Sequence, residues 1–244
     1  MKSYLPMLTT KKIVFFTGSG ISKESGIETF RDAIDGLWYQ YVIEDVASIE
    51  GWRKNKEVML EFHNKRRAQL KEVNPNKGHE LITLAENYMQ VTVITQNVDN
   101  LHELAGSSKI LHLHGQLNKV RSTYNPDLVY DWEGDLKIGD KCVKGSQLRP
   151  HVVWFGESLD EQIYQSAIQE IKACDLMVVI GTSLTVYPAN ELLEYLNSEA
   201  ELYIIDPENL ENLLPNNVKR KVVKHYQMNV TKGMPLFFDE VLKI

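Results

Sequence analysis

The sequence predicts an α/β fold, a doubly wound and mainly parallel sheet that carries a smaller inserted lobe. Seven short apolar runs, at 13–17, 91–95, 110–113, 152–155, 176–180, 202–205 and 222–225, read as strands. Most are continuous rather than alternating, which suits parallel strands covered on both faces. Amphipathic helices lie between several of them. Residues 79–89 gather Leu81, Ile82, Leu84, Ala85, Tyr88 and Met89 on one side, and residues 160–174 do the same with Ile163, Ala167, Ile168, Ile171 and Cys174. Two stretches break the alternation. Residues 35–76 hold a helix over 56–70 but no clear strand, and residues 116–149 are rich in turn signals such as Asn125-Pro126, Glu133-Gly134-Asp135 and Gly139-Asp140.

These patterns imply a Rossmann-like domain assembled from 1–34, 77–115 and 150–244, with 35–76 and 116–149 forming the small lobe. A length of 244 residues accommodates both. The net charge of −6 argues against non-specific nucleic-acid binding. The one notable basic cluster, Lys219, Arg220, Lys221 and Lys224, is expected at a solvated strand edge. No apolar run approaches the roughly 20 residues that span a bilayer. Two cysteines, Cys142 and Cys174, make no disulfide framework. With no secretory leader expected before Ile13, they point to a reducing cytoplasm. A monomer is the expected state.

Chemistry-bearing residues cluster where the predicted strands end, the position at which open α/β sheets build their sites. After the first strand come Gly18, Ser19, Gly20 and Ile21, a loop suited to close approach of a phosphate. The residue three after Gly20 is Lys23, so the three-glycine dinucleotide fingerprint fails, as does the Walker pattern. Phe30 and Arg31 follow, offering an aromatic cover and a cation for a pyrophosphate, or simply a core ring beside a surface arginine. Gln96-Asn97-Val98-Asp99 ends the second run; Asn97 and Asp99 would also suit a helix cap near Asn100. His112-Leu113-His114-Gly115 stands fifteen residues further on, and His114 is a candidate general base. Gly181, Thr182 and Ser183 end a later run, and Asp206 another.

In their order and spacing these segments resemble the sirtuin family of NAD-dependent protein lysine deacylases. The matching residues are Thr17 to Ser22 with Ser25 to Arg31, Thr95 to Asp99, His112 to Gly115, Arg149 to Glu157, and Gly181 to Ser183 with Val186 and Pro188. One departure is Ser19, where the family has alanine. The resemblance implies that NAD is consumed: the acyl-lysine oxygen attacks the nicotinamide ribose and nicotinamide leaves. It implies that Asp99 holds the nicotinamide amide, that Asn97 hydrogen-bonds the ribose or an ordered water, that Gln96 contacts the ribose, and that His114 activates a ribose hydroxyl against an alkylimidate. His112 would be structural. The glycine loop, Phe30, Arg31, Gly181, Thr182, Ser183 and Asp206 would bind the remainder of NAD. The same fold would also serve an NAD hydrolase, an ADP-ribosyltransferase or a non-catalytic NAD sensor.

The resemblance places the acyl-lysine protein substrate between the segment after Ser183 and the segment Val152 to Glu157. Val153, Phe155, Gly156 and Glu157 would line it. On the helix over 56–70, family members that remove acidic acyl groups carry tyrosine and arginine three residues apart. Here the pair is His63 and Arg66, which share a helix face and imply acceptance of succinyl- or malonyl-lysine beside acetyl-lysine. Arg66 and Arg67 would otherwise only solvate that helix. The family's four zinc-binding cysteines reduce to Cys142, with Ser122 near the start of the first pair. One thiolate cannot close a four-ligand site, so no zinc is expected. The apolar residues from Tyr124 to Ile138 are expected to hold the lobe together instead.

Overall fold

The computed structural model describes residues 10–27 and 41–244. In chain order the elements are β1 (Lys12–Thr17), α1 (Gly20–Lys23), α2 (Ile43–Val46), α3 (Ile49–Lys54), α4 (Lys56–Gln69), α5 (Lys77–Ala85), β2 (Gln90–Thr95), α6 (Leu101–Ala105), β3 (Ile110–His112) and β4 (Gly115–Ser122). They continue with β5 (Val129–Asp131), β6 (Leu148–Val152), α7 (Glu161–Ala173), β7 (Leu176–Ile180), β8 (Glu201–Ile205), α8 (Asn216–Lys219), β9 (Val222–Tyr226) and α9 (Val230–Phe237). Six strands form one sheet in the order β3-β2-β1-β7-β8-β9, with every neighbour pair parallel. The chain winds outward from β1 in one direction and from β7 in the other. Their carboxyl ends therefore diverge and leave a crevice between them.

The strands run without alternation because helices cover both faces. All five residues of β7 are buried. One face packs α7 through Ala167, Ile168 and Ile171 against Val14, Phe16 and Val179. The other packs α5 and α9 through Ile82, Ala85, Met234 and Phe237 against Phe15, Val93 and Val178. Asp160 starts α7 by accepting from the backbone N–H groups of Gln162 and Ile163 at 2.9 and 3.0 Å. α5 opens two residues earlier than the apolar pattern suggested, on a capping box between Asn76 and His79. It closes at Ala85, where bonds from Glu86, Asn87 and Tyr88 back to the third preceding carbonyl tighten the last turn.

The run at 152–155 is not a strand of the large sheet. The strand there is β6, which ends at Val152 and pairs antiparallel with β4; β5 completes a separate three-stranded sheet. Residues 153–155 instead form a connector, with Val153 N–H donating to His114 O at 2.9 Å and Phe155 N–H to Ala47 O at 2.8 Å. An apolar run of four residues carries no information about its partner, and both partners here are distant in sequence.

α4 packs on this small sheet. Met59 joins Leu117, Val152 and Trp154 in one cluster, and Leu60 joins Val120, Leu136, Cys142 and Leu148 in another. Arg67 is only 3% exposed rather than solvating its helix. Its Nε donates to Leu117 O and its Nη1 to Asn64 Oδ1, both at 2.8 Å, so it ties α4 to β4. At the outer edge of the large sheet, Lys221 Nζ donates to the carbonyls of Leu196 and Asn197 and Lys224 pairs with Glu240, so these cations of the basic cluster are engaged.

Candidate active site

A cleft of about 880 Å³ opens over the carboxyl ends of β1, β2, β7 and β8, within the size range of small-molecule sites. The glycine loop forms one wall, but for a reason other than free amides. Gly18 N–H donates to Ile180 O at 3.0 Å and Gly20 N–H to Gly181 O at 2.8 Å. A Cβ on Gly18 would stand 2.7 Å from Gly181 O, and one on Gly20 would stand 2.6 Å from Gly181 Cα. The glycines thus let the loops after β1 and β7 press together. Ser19 and Gly20 line the cleft, whereas Gly18 and Ile21 lie behind its wall.

The loop after β2 supplies the polar head of the site. Asn97 and Asp99 are each 6% exposed and both line the cleft. Ser22 Oγ donates to Asp99 Oδ2 at 2.9 Å and accepts from Asn97 Nδ2 at 3.1 Å. Asp99 Oδ1 accepts from Leu101 N–H at 3.1 Å, so the carboxylate also starts α6, as its residue type allows. Burial raises the Asp99 carboxyl above its usual range, against the pull of those donors and of the nearby His112 and Arg66. Gln96 Oε1 accepts from Thr182 Oγ1 at 2.6 Å, and its Nε2 is buried without a hydrogen-bond partner among the described residues. That orphaned donor fits a hydroxyl or phosphate acceptor in the cleft.

His114 sits on the short link between β3 and β4, with Nδ1 2.9 Å from Gln96 O. A carbonyl only accepts, so Nδ1 carries the proton and Nε2 keeps a lone pair. Burial lowers the His114 pKa, with the Gln96 contact opposing, and the ring is neutral at neutral pH. His112 is buried below it, between Asn97 O and Glu103. Thr182 and Ser183 border the cleft beside Gly181, whose φ of +57° a side chain would strain. Asp206 lines the cleft at the end of β8, and its Oδ1 accepts from Glu208 N–H at 2.9 Å. Phe30 and Arg31 lie outside the described residues.

On the opposite wall, Val153, Phe155 and Gly156 line the cleft, with Phe155 55% exposed. Glu157 also borders it, yet its oxygens accept from Arg149 at 2.5 and 2.8 Å, from Arg121 at 3.1 and 3.2 Å and from Trp154 N–H at 2.9 Å. Burial would raise this carboxyl, but the arginines and the N–H group outweigh it and hold it below its usual range. These bonds fix the connector to β4 and β6. The pairing of His63 with Arg66 is likewise divided. His63 Nδ1 lies 2.9 Å from Met59 O, and His63 Nε2 accepts from Trp154 Nε1 at 3.3 Å. Both ring nitrogens are occupied, and burial pushes the His63 pKa down to about 3. Arg66 borders the cleft, its pKa lowered to about 10 by burial against the attraction of Asp99.

Ser22 and Trp154 were not among the predicted site residues. Ser22 ends the glycine segment and was legible there; Trp154 read as one more apolar residue.

A profile of the Sir2 family matches residues 18–188. The chain is 52% identical over 209 residues to an NAD-dependent protein deacylase of Helicobacter pylori strain ATCC 700392 / 26695, covering 86% of this chain and 90% of the relative. It is 52% identical over 204 residues to an NAD-dependent protein deacylase of Bacteroides thetaiotaomicron, covering 81% and 86%. A crystal structure of a Sir2 homologue with NAD matches with a TM-score of 0.84 at 34% identity, over 96% of this chain and 90% of that one. A Sir2 protein bound to acetylated peptide matches with a TM-score of 0.76 at 28% identity, over 95% and 93%. With the family profile matching residues 18–188 and relatives 52% identical over most of its length, the chain belongs to the Sir2 family.

Proposed function

We propose that the protein is an NAD-dependent protein lysine deacylase. The observation that carries this reading is the convergence of a neutral His114, with Nε2 unprotonated, and the Ser22–Asn97–Asp99 network on one cleft. The orphaned Gln96 Nε2, the loop pair Gly18–Gly20 and Gly181–Ser183, and Asp206 fit an extended dinucleotide there. When bound, NAD supplies an electrophilic ribose carbon whose nicotinamide can leave.

The chain's own residues divide the work. Asp99 and Asn97 orient the nicotinamide ribose end, and Ser22 holds both of them. His114 Nε2 takes a proton from a ribose hydroxyl. An acyl-lysine peptide lies along Val153 to Gly156, held mainly through its backbone and therefore with little sequence preference. Arg66, without help from His63, would receive the carboxylate of a succinyl or malonyl group. Protein substrates, rather than nucleic acid, suit the net charge of −6, and the two free cysteines suit the cytoplasm.

The test is incubation with NAD and acetyl-, succinyl- and longer acyl-lysine peptides, with products identified by mass. Nicotinamide, deacylated peptide and O-acyl-ADP-ribose are expected. Free ADP-ribose with intact peptide would instead make the protein an NAD hydrolase.

A further inference from the structure

The loop carrying Asn97 and Asp99 is gripped through two successive carbonyls. His114 Nδ1 meets that of Gln96 at 2.9 Å, and His112 Nδ1 meets that of Asn97 at 3.2 Å. His112 does not line the cleft, and the proposed reaction gives its ring no direct role. Its Nε2 lies 2.7 Å from Glu103 Oε1, and that oxygen also accepts from Gln116 Nε2 at 3.0 Å. Glu103 stands on α6, the helix that Asp99 itself starts. The contacts therefore close a ring: from the loop into the helix, from its carboxylate to the imidazole, and back to the loop.

The two acceptors decide the protons. A carbonyl oxygen and a carboxylate oxygen can only accept, so both contacts of His112 are made together when both ring nitrogens carry hydrogen. We infer that Glu103 and His112 are positioning residues for the nicotinamide-ribose step, with Glu103 holding His112 as a cation that fixes Asn97 and faces Asp99. The inference rests on the deacylase reading above.

The surrounding charges agree with this arrangement. Burial would raise the Glu103 carboxyl, but the hydrogen bond and charge of His112 outweigh it, with a smaller pull from Lys119. The positive charge of His112 also opposes the burial that pushes Asp99 toward its neutral form. Arg66 acts on Asp99 in the same direction. The neighbouring His102 is kept neutral, its pKa well below the usual range because of burial. Removing the cation at 112 should therefore leave Asp99 easier to protonate. Activity that needs the ionised carboxylate would then fail at a higher pH.

The test uses the full chain, wild type and the variants Glu103→Gln, His112→Gln and His112→Ala. Nitrogen-15 spectra of labelled histidine at pH 7 should show both His112 nitrogens protonated in wild type and one bare in Glu103→Gln. In His112→Gln, kcat for nicotinamide release should fall about tenfold or more, as misplacement of a reacting group does. Its KM for the acyl peptide should stay within about twofold of wild type, and the acid limb of its profile should move to higher pH. A bare His112 nitrogen in wild type would overturn the inference. So would kcat and pH profile both within twofold of wild type in Glu103→Gln and His112→Gln. If His112→Ala does not fold, the wild-type spectrum and Glu103→Gln still decide. If wild type releases no nicotinamide with any acyl peptide, the deacylase reading fails and the positioning role with it. The spectrum then tests the ion pair alone.

Discussion

Trp154 Nε1 donates to His63 Nε2 across 3.3 Å, joining the connector after β6 to helix α4 at the wall of the cleft. With Met59 O taking the other side of the ring, the imidazole is a neutral strut between two elements. In the proposed deacylase, selection among acyl groups at that wall then rests on Arg66 rather than on His63.

Arg66→Met should therefore separate acidic from neutral substrates. A charge-assisted hydrogen bond contributes about 1.5–3 kcal/mol, so kcat/KM on succinyl-lysine peptide should fall roughly 10- to 150-fold. Activity on acetyl-lysine peptide should remain within about threefold. Equal succinyl activity in variant and wild type would remove Arg66 from the acyl site.

With His112 and Arg66 opposing protonation of Asp99, His114 should set the acid limb of the wild-type rate profile. Its pKa is lowered by burial, so the base form persists on acidification past the ordinary histidine value of about 6.5. The limb in kcat/KM for NAD should have its midpoint below that value. His114→Ala should lower deacylation by about 10²-fold or more, the scale of general-base catalysis. Product formation that survives this substitution unchanged would exclude the assignment.

Acid should also unfold the protein through its buried histidines. His63 is held at about 3, His79 at about 4 and His102 well below its usual range, each chiefly by burial. The rings of His79 and His102 lie 4.9 Å apart, and each has one nitrogen without a partner among the described residues. In the unfolded chain all three take up protons near pH 6.5, so their contribution is complete above that pH. It declines as pH falls, by up to about 1.4 kcal/mol per pH unit for each residue. Tm should drop steadily between pH 7 and 4.5, and His79→Gln should make the decline shallower. A flat melting profile over that interval would contradict this account.

Gly20→Ala tests the contact between the loops after β1 and β7. The added methyl would meet Gly181 Cα at 2.6 Å, and overpacking of this kind costs about 1–3 kcal/mol. A lower Tm and a raised KM for NAD are expected together, because the same backbone forms the wall of the cleft. Wild-type values for both would show that the loops have room to separate.

The small lobe should keep its stability without metal. Cys142 is buried with Leu60, Val120, Leu136 and Leu148, and its Sγ lies 3.3 Å from Ser122 Oγ. A chelator should leave Tm unchanged, and Cys142→Ala should cost about 1 kcal/mol of stability, the loss of one small buried group. Stoichiometric zinc in tag-free protein, or a large fall in Tm with chelator, would show a ligand set that this packing does not supply.

Local pattern made most of the architecture legible in the sequence. Continuous apolar runs marked all six large-sheet strands to within one residue at either end. The polar segments at their ends marked Asn97, Asp99 and His114, because strand ends in such a sheet must converge on one crevice. Contacts between distant segments were not written in that pattern. Val153 to Phe155 left the large sheet because their N–H partners are His114 and Ala47. Glu157 became an anchor because Arg121 and Arg149 reach it, and Arg67 became buried because Leu117 O lies within its reach.

The amino-acid order thus determined the α/β architecture, the loops that form the cleft and the residue types able to do chemistry there. Those properties depend on periodicity and on neighbours close in the chain. The tertiary structure alone decided which charges are spent inside the protein and which face the cleft. It engaged both ring nitrogens of His63 with Met59 and Trp154, while both His63 and Arg66, one helical turn apart, border the cleft. Burial and hydrogen-bond partners belong to the folded arrangement, and they fix proton and charge state more strongly than residue type does.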